Sequence, residues 1–476
     1  MSLNRVVPML AVLLGLSIAV PVARAQTAAA DEFPVNVLGS QNEVDSAVAR
    51  NASGRTVIVW DDNGTIRARR FDAAGAPLDN GFVVDAAGMR PDVAIAADGG
   101  FIVTWIQPGA DANARFRRYS ADGLATGPAS PVLVGTPARN ATQTAIALDD
   151  DGRFAIATAH ADPARGISTG PFLLWLVGAG IVDLLAAPMQ VNVSHFDVDG
   201  RALNSATMSR ASDLTFYLAL QSVVGGGIEG VTPQLGGNVD VALDAFGNAT
   251  VVWDSISGFG VTPLVVLGST LGRVAGTVQV RRLRRGASQP GPEVTVDVGQ
   301  SVVLQSFNPG TIAFAPPPPK PSIALRNDGR AVLAYALPFQ FEIVPRPLDV
   351  GDTREIDRSL RLTTLSPTLL PQRLPTVVAE QVEAASIAVD ASGNAVVAWE
   401  GPLPGPIMAQ RFDAALAPLA APVAVGSRQR TTFAPTTSPI GLGAAADGSF
   451  ALSWQQRVTS PGPRRTTVRA RFYTVP

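Results

Sequence analysis

The chain has 476 residues, with 37 basic and 39 acidic side chains and a formal net charge of −2, so no overall field steers it toward nucleic acid or an anionic membrane. It contains no cysteine, which excludes a disulfide framework, a lipid-bearing cysteine and thiolate metal sites. Charged residues make up only 16% of the sequence, so the fold must bury much of its surface.

Residues 1–25 hold a lone Arg5, an apolar run over 6–22 and Ala23-Arg24-Ala25. This is the pattern of a secretory signal cut before Gln26, and it predicts export to the periplasm or the medium. Next comes Phe33-Pro34-Val35-Asn36-Val37, which matches the short last strand of the units described below but has no unit before it.

From there a triplet recurs. Gly54, Gly99, Gly152, Gly247, Gly329, Gly393 and Gly448 are each followed six positions later by Trp60, Trp105, Thr158, Trp253, Tyr335, Trp399 or Trp454. Five positions before them stand Ala49, Ala94, Ala147, Ala242, Ala324, Ala388 and Gly443, a column that is small in every copy. Around each glycine apolar residues alternate with period two, the spacing of β-strands. Turns such as Asp98-Gly99 and Asp328-Gly329 between the two strands read as tight hairpins, with glycine supplying a positive φ.

A third strand follows, as in Ile66-Arg67-Ala68-Arg69-Arg70-Phe71, then a short fourth, as in Phe82-Val83-Val84. Four antiparallel strands repeated seven times predict an all-β, seven-bladed β-propeller spanning 26–476 as one domain. The last blade stops after its third strand, so pairing the segment at Phe33 with the C-terminus would close the ring and leave no free edge. An eighth blade is the alternative, since Leu214, Phe216 and Leu218 alternate as a second strand would. Too few residues separate them from Gly247 to complete one.

The stretches Asp98-Gly99-Gly100-Phe101-Ile102-Val103-Thr104-Trp105 and Gln410-Arg411-Phe412-Asp413-Ala414-Ala415-Leu416-Ala417-Pro418-Leu419 resemble the two halves, DGxFxVxW and xRFDxxGxPL, of tandem repeats in secreted and surface proteins of bacteria. The resemblance covers nearly all of 26–476, degenerating between Ala159 and Gly236. It implies a propeller-like repeat and no particular activity.

Three neighbouring blades carry long excursions between their second and third strands, at 159–188, 254–276 and 336–354. All should emerge on one face, opposite the short turns, and insertions gathered on one face mark a binding surface. The first contains Phe172-Leu173-Leu174-Trp175-Leu176, and Ser168 or Thr169 followed by Pro171 reads as the start of a helix over this apolar stretch. The stretch is too short to span a bilayer, and Asp183 lies within it.

These features predict a monomeric, non-catalytic propeller that binds a protein or glycan through Phe172, Trp175, Leu176, Phe259 and Phe339. A glycan hydrolase or lyase using Asp254, Glu342 or Asp183 is the alternative, and it requires paired carboxylates. A structural repeat of a surface assembly is the third reading.

No cofactor or metal is expected. Asp149-Asp150-Asp151-Gly152 and Asp197-Val198-Asp199-Gly200 lack the downstream carboxylate of a calcium loop, and His160 and His195 are the only histidines. The alternating arginines of the third strands, such as Arg67 with Arg69, Arg115 with Arg117 and Arg469 with Arg471, predict a solvated blade surface.

Overall fold

The computed structural model describes residues 26–29, 31–37, 42–109, 113–134, 136–137, 140–162, 167–168, 181–221, 234–235, 237–264, 269–299, 302–306, 320–340, 357–401, 405–428, 440–458 and 465–475. Every regular element among them is a strand. Four blades follow the repeat directly. In blade 1, Glu43–Arg50, Thr56–Asp62, Thr65–Phe71 and Phe82–Asp85 pair in that order, all antiparallel. Blades 2, 5 and 6 are built the same way, beginning at Met89–Ile95, Ser322–Leu325 and Ala384–Val389. Blades 3 and 4 begin at Ala141–Leu148 and Val239–Leu243, and blade 7 at Gly441–Ala444.

The first strands of the seven blades touch in a closed cycle, with blade 7 returning to blade 1. The chain is therefore a seven-bladed β-propeller, and the cycle of first strands surrounds its axis. No eighth blade forms. Leu214–Gln221, where one was conceivable, pairs instead with the upper half of Ile181–Phe196.

Each turn glycine adopts the positive φ expected of it, from 75° at Gly247 to 95° at Gly99. The aromatic column is the core of the blades: Trp60, Trp105, Trp253, Trp454 and Tyr335 are all fully buried. A Trp buries about 200 Å², which at about 25 cal/mol per Å² contributes about 5 kcal/mol.

The small column has a steric cause. A Cβ on Gly443 would stand 2.8 Å from the amide nitrogen of Arg50 and 2.9 Å from its Cβ, so blades 7 and 1 approach closely only because that residue is glycine. The unpaired inner edges of the first strands are satisfied from neighbouring blades. Asp92 accepts the N–H of Val93 and, across the blade boundary, that of Ile146, each at 2.9 Å. Asp240 likewise accepts from Val241 at 2.8 Å and from Ile323 of blade 5 at 2.9 Å.

The ring closes with both ends of the chain. Phe33–Pro34 and Thr27–Ala28 pair with Arg465–Thr474 as the fourth strand of blade 7. Phe33 stacks on Phe472 at 6.0 Å and 5° between ring planes, and Val35 is fully buried.

The third-strand arginines correct the expectation of a solvated surface. Arg69 is buried and donates to the carbonyl of Val35 at 2.8 Å. Arg281 donates to that of Met208 at 2.9 Å, and Arg471 to that of Val425 at 3.3 Å. Each reaches the fourth strand, or the residue just after it, of the preceding blade. The planar guanidinium spans a gap that a shorter polar side chain could not. Of the expected surface residues, Arg67 pairs with Asp62 at 2.6 Å.

Candidate functional site

The long-loop excursions of blades 3 and 4 are extensions of the blades themselves. Ile181–Phe196 is one unbroken strand. Its lower half pairs with Phe154–Ala161 inside blade 3, and its upper half with Leu214–Gln221 and Ile167–Ser168 outside it. In blade 4, Ala249–Leu264 and Ser269–Leu283 likewise continue past the blade as a long hairpin, joined on its far edge by Val302–Ser306. The pair Leu214 and Ile256 links the two extensions. Together they form a platform of strands rising from blades 3 and 4 on the face away from the turn glycines.

The helix expected from Ser168 onward is corrected over 181–187, which is strand. An apolar run without clear periodicity suits a buried strand as well as a helix, and here tertiary pairing decides. In register, Val182, Leu184 and Ala186 stand opposite Leu220, Leu218 and Phe216, and Asp183, Leu185 and Ile181 opposite Ala219, Tyr217 and Gln221.

Phe172, Trp175 and Leu176 lie outside the described residues, as does Glu342. Phe259 falls at a register shift in the blade 4 hairpin, between Ser257 and Gly260. Phe339 falls at another, between Pro338 and Gln340 in blade 5. These two positions belong to different blades, and no pairing joins them. Asp183 stands opposite Ala219 on the platform.

Asp254 can be described fully. It is completely buried at the root of the platform. Its Oδ1 accepts the N–H of Asn238 at 2.7 Å, and its Oδ2 accepts Asn238 Nδ2 at 2.7 Å and the N–H of Lys320 at 3.4 Å. Burial raises its pKa to about 6 against the pull of those hydrogen bonds. Both oxygens are engaged in tying the entries of blades 4 and 5 together, so the group acts as a latch.

Nearby, Trp253 donates its indole N–H to Asp213 Oδ2 at 3.2 Å. Glu293 pairs with Arg210 at 3.0 Å. Burial raises both carboxyls, and the charge of Asp213 adds to the rise at Glu293. No group of three or more His, Asp or Glu able to hold a metal occurs among the described residues. Asp149 and Asp197 use Oδ1 to accept turn N–H groups at 2.8 to 3.0 Å.

On the opposite face the sequence reading missed Arg50. The signal was present, since the position four before the turn glycine is aliphatic in the other six copies. The columns singled out at five before the glycine and at six after it passed over that position.

No family model matches the chain, and no curated protein matches it. Among solved structures it is similar to a protein of unknown function from Dyadobacter fermentans, with 9% identity, 95% of this chain and 99% of that one covered, and a TM-score of 0.46. It is also similar to a polysaccharide lyase, at 10% identity over 95% of each chain with a TM-score of 0.44. A lectin from Burkholderia pseudomallei shares 12% identity over 90% of this chain and 98% of that one, with a TM-score of 0.38. Likeness at this level assigns neither ligand nor reaction.

Proposed function

We propose that this chain is an exported, non-catalytic binding propeller whose partner, a protein or a glycan, engages the platform of blades 3 and 4. The platform carries this reading. Two blades lengthen their strands on one face and join them through Leu214 and Ile256, while the turn face keeps short hairpins. Ring closure is served by neither extension, and chain kept beyond the needs of the fold is where propellers acquire partners. The resemblance to secreted and surface bacterial repeats and the signal-like residues 1–25 support export. The glycan-active alternative gains nothing from Asp254, whose oxygens are both occupied.

The test is a chain of residues 26–476 in which 257–275 is replaced by Asn-Gly, a two-residue turn suited to close the pair Ile256 and Gly276. Both forms are applied to a glycan array and cross-linked to envelope fractions of a bacterium. The expected result is loss of at least one saturable interaction of the parent form, with the blades still folded. Equal binding by the shortened form would sink the proposal.

A further inference from the structure

The first strands of the propeller end in a column that is apolar six times out of seven. Four positions before the turn glycine stand Ile95, Leu148, Leu243, Leu325, Val389 and Ala444. Each packs against the buried cluster of its own blade boundary. In blade 1 the position is Arg50. A guanidinium there is desolvated, and burial lowers its pKa. Places where a sequence departs from its own local rule are expected to be functional.

Beside Arg50, between blades 7 and 1 on the turn face, lies a cavity of about 210 Å³. That is the volume of about seven waters at about 30 Å³ each, the scale of one sugar ring. Arg50 forms one wall. Its Nη1 donates to the carbonyl of Gly54 at 2.6 Å and to Thr56 Oγ1 at 2.8 Å. Its Nη2 donates to Ser449 Oγ at 2.9 Å and, on the solvent side, to the carbonyl of Ala73 at 3.1 Å. Nε is buried without a hydrogen-bond partner. Phe472 lies beneath the guanidinium, 5.7 Å from ring centre to Cζ.

Asp447 lines the cavity on the blade 7 side. Hydrogen bonds from Ser449 hold its carboxyl below the usual range, so it is ionised at neutral pH. Ala52, Ala73, Ala74 and Ala446 line the cavity too, with nothing beyond Cβ to obstruct it. A purely structural clasp accounts for the four bonds of Arg50. Asp447 accepts the turn N–H of Ser449 at 2.8 Å, and neither role fills the open cavity beside them.

We infer that this cavity is a subsite for a single neutral sugar unit, whose hydroxyls donate to Asp447 and accept from Arg50 Nη2 in place of the exposed carbonyl of Ala73, with the alanines against its C–H groups. An ionised acid and a guanidinium side by side match the paired donors and acceptors of vicinal hydroxyls. The site lies on the face opposite the platform, so its fate is independent of the platform reading.

The test follows the Nε–H resonance of Arg50 in the chain of residues 26–476 as methyl glycosides of glucose, galactose, mannose, fucose and N-acetylglucosamine are added, with glycerol as control. At least one glycoside is expected to shift the resonance saturably. Asp447→Asn keeps the acceptor for the Ser449 N–H, and Ala74→Trp fills an exposed position at the cavity. Each should weaken binding by about tenfold or more, a difference of about 1.4 kcal/mol. Arg50→Leu, which removes the reporter and is therefore read by isothermal titration calorimetry, should abolish binding of the glycoside that shifts the parent resonance. If no glycoside shifts the resonance, if glycerol matches the best of them, or if Ala74→Trp binds as the parent does, the inference is overturned.

Discussion

The hydroxyl of Tyr335 donates to Oδ2 of Asp297 at 3.0 Å, across the boundary between blades 4 and 5. Arg361, which stands opposite Tyr335 in the sheet, donates to the same oxygen at 2.8 Å. Trp253 and Asp213 repeat the arrangement one boundary earlier. At these two positions the polar edge of the aromatic column is tied to the preceding blade, whereas the indole nitrogens of Trp60, Trp105 and Trp454 are buried without a hydrogen-bond partner. Burial first, and then the charge of Asp297, raise the pKa of Tyr335.

Replacing Tyr335 with Phe keeps the ring and removes only the hydroxyl. Asp297 retains Arg361, so no carboxylate is stranded. The expected loss is about 1–1.5 kcal/mol, the net worth of one hydrogen bond, enlarged slightly because the acceptor is charged. Urea unfolding measures it, and an unchanged midpoint would remove the boundary bond from the account of stability.

Gly443→Ala tests the steric origin of the small column. The added Cβ meets backbone and Cβ atoms of Arg50 within 3 Å, and neither can swing aside as a side-chain tip would. A loss of about 1–3 kcal/mol is expected from overpacking. The control is Ala242→Gly in the same column of blade 4, which lacks the clash and should cost far less. Equal losses at both positions would mean that close approach of blades 7 and 1 is not the cause.

The axis predicts the pH dependence. Desolvation by the surrounding first strands, and then the facing charge of Asp240, raise the pKa of Asp92 from 3.8 to about 7. Asp61 and Asp254 rise to about 6, chiefly by burial. A carboxyl raised in the folded state binds more protons folded than unfolded between its two pKa values. Stability should therefore fall as pH rises from about 4 to about 7, and change little further up. Asp92→Asn should flatten that slope, as read from thermal unfolding across the window. A slope that persists in the variant would move the origin elsewhere.

Removing residues 26–35 withdraws the fourth strand of blade 7 and uncovers Phe472. The shortened chain should lose cooperative unfolding, and a synthetic peptide of residues 26–37 added in trans should restore it. Recovery would be read by differential scanning calorimetry. A deletion variant with the parental transition would show that the ring is stable open.

The blades were legible because their signals are local. A glycine that must take positive φ, an aromatic six residues on and period-two alternation all fall within about a dozen residues, and Gly54 to Gly448 met that expectation at each turn. Closure at Phe33 was legible for the same reason, as a strand match without a blade. The platform was not. Residues 181–188 pair with 214–221, and nothing within that apolar run announces a partner some thirty residues away. The arginines misled because period-two alternation on an outer strand reads as exposure. The carbonyls that Arg69 and Arg281 reach lie in another blade. At the turns, Leu369 and Leu416 adopt φ of 65° and 60°, against the preference for glycine, because their side chains are buried in the cores at the boundaries of blades 4 with 5 and 5 with 6.

The unbroken run of Ile181–Phe196 through blade and platform has a mechanical meaning. A tug on the platform along that strand is carried into blade 3 in shear. There it is shared at once by the ladders to Phe154–Ala161 and to Ala202–Thr207, whereas a platform hung on loops would peel away bond by bond. The propeller then serves as a stiff anchor, and whatever grips the platform pulls against a whole blade.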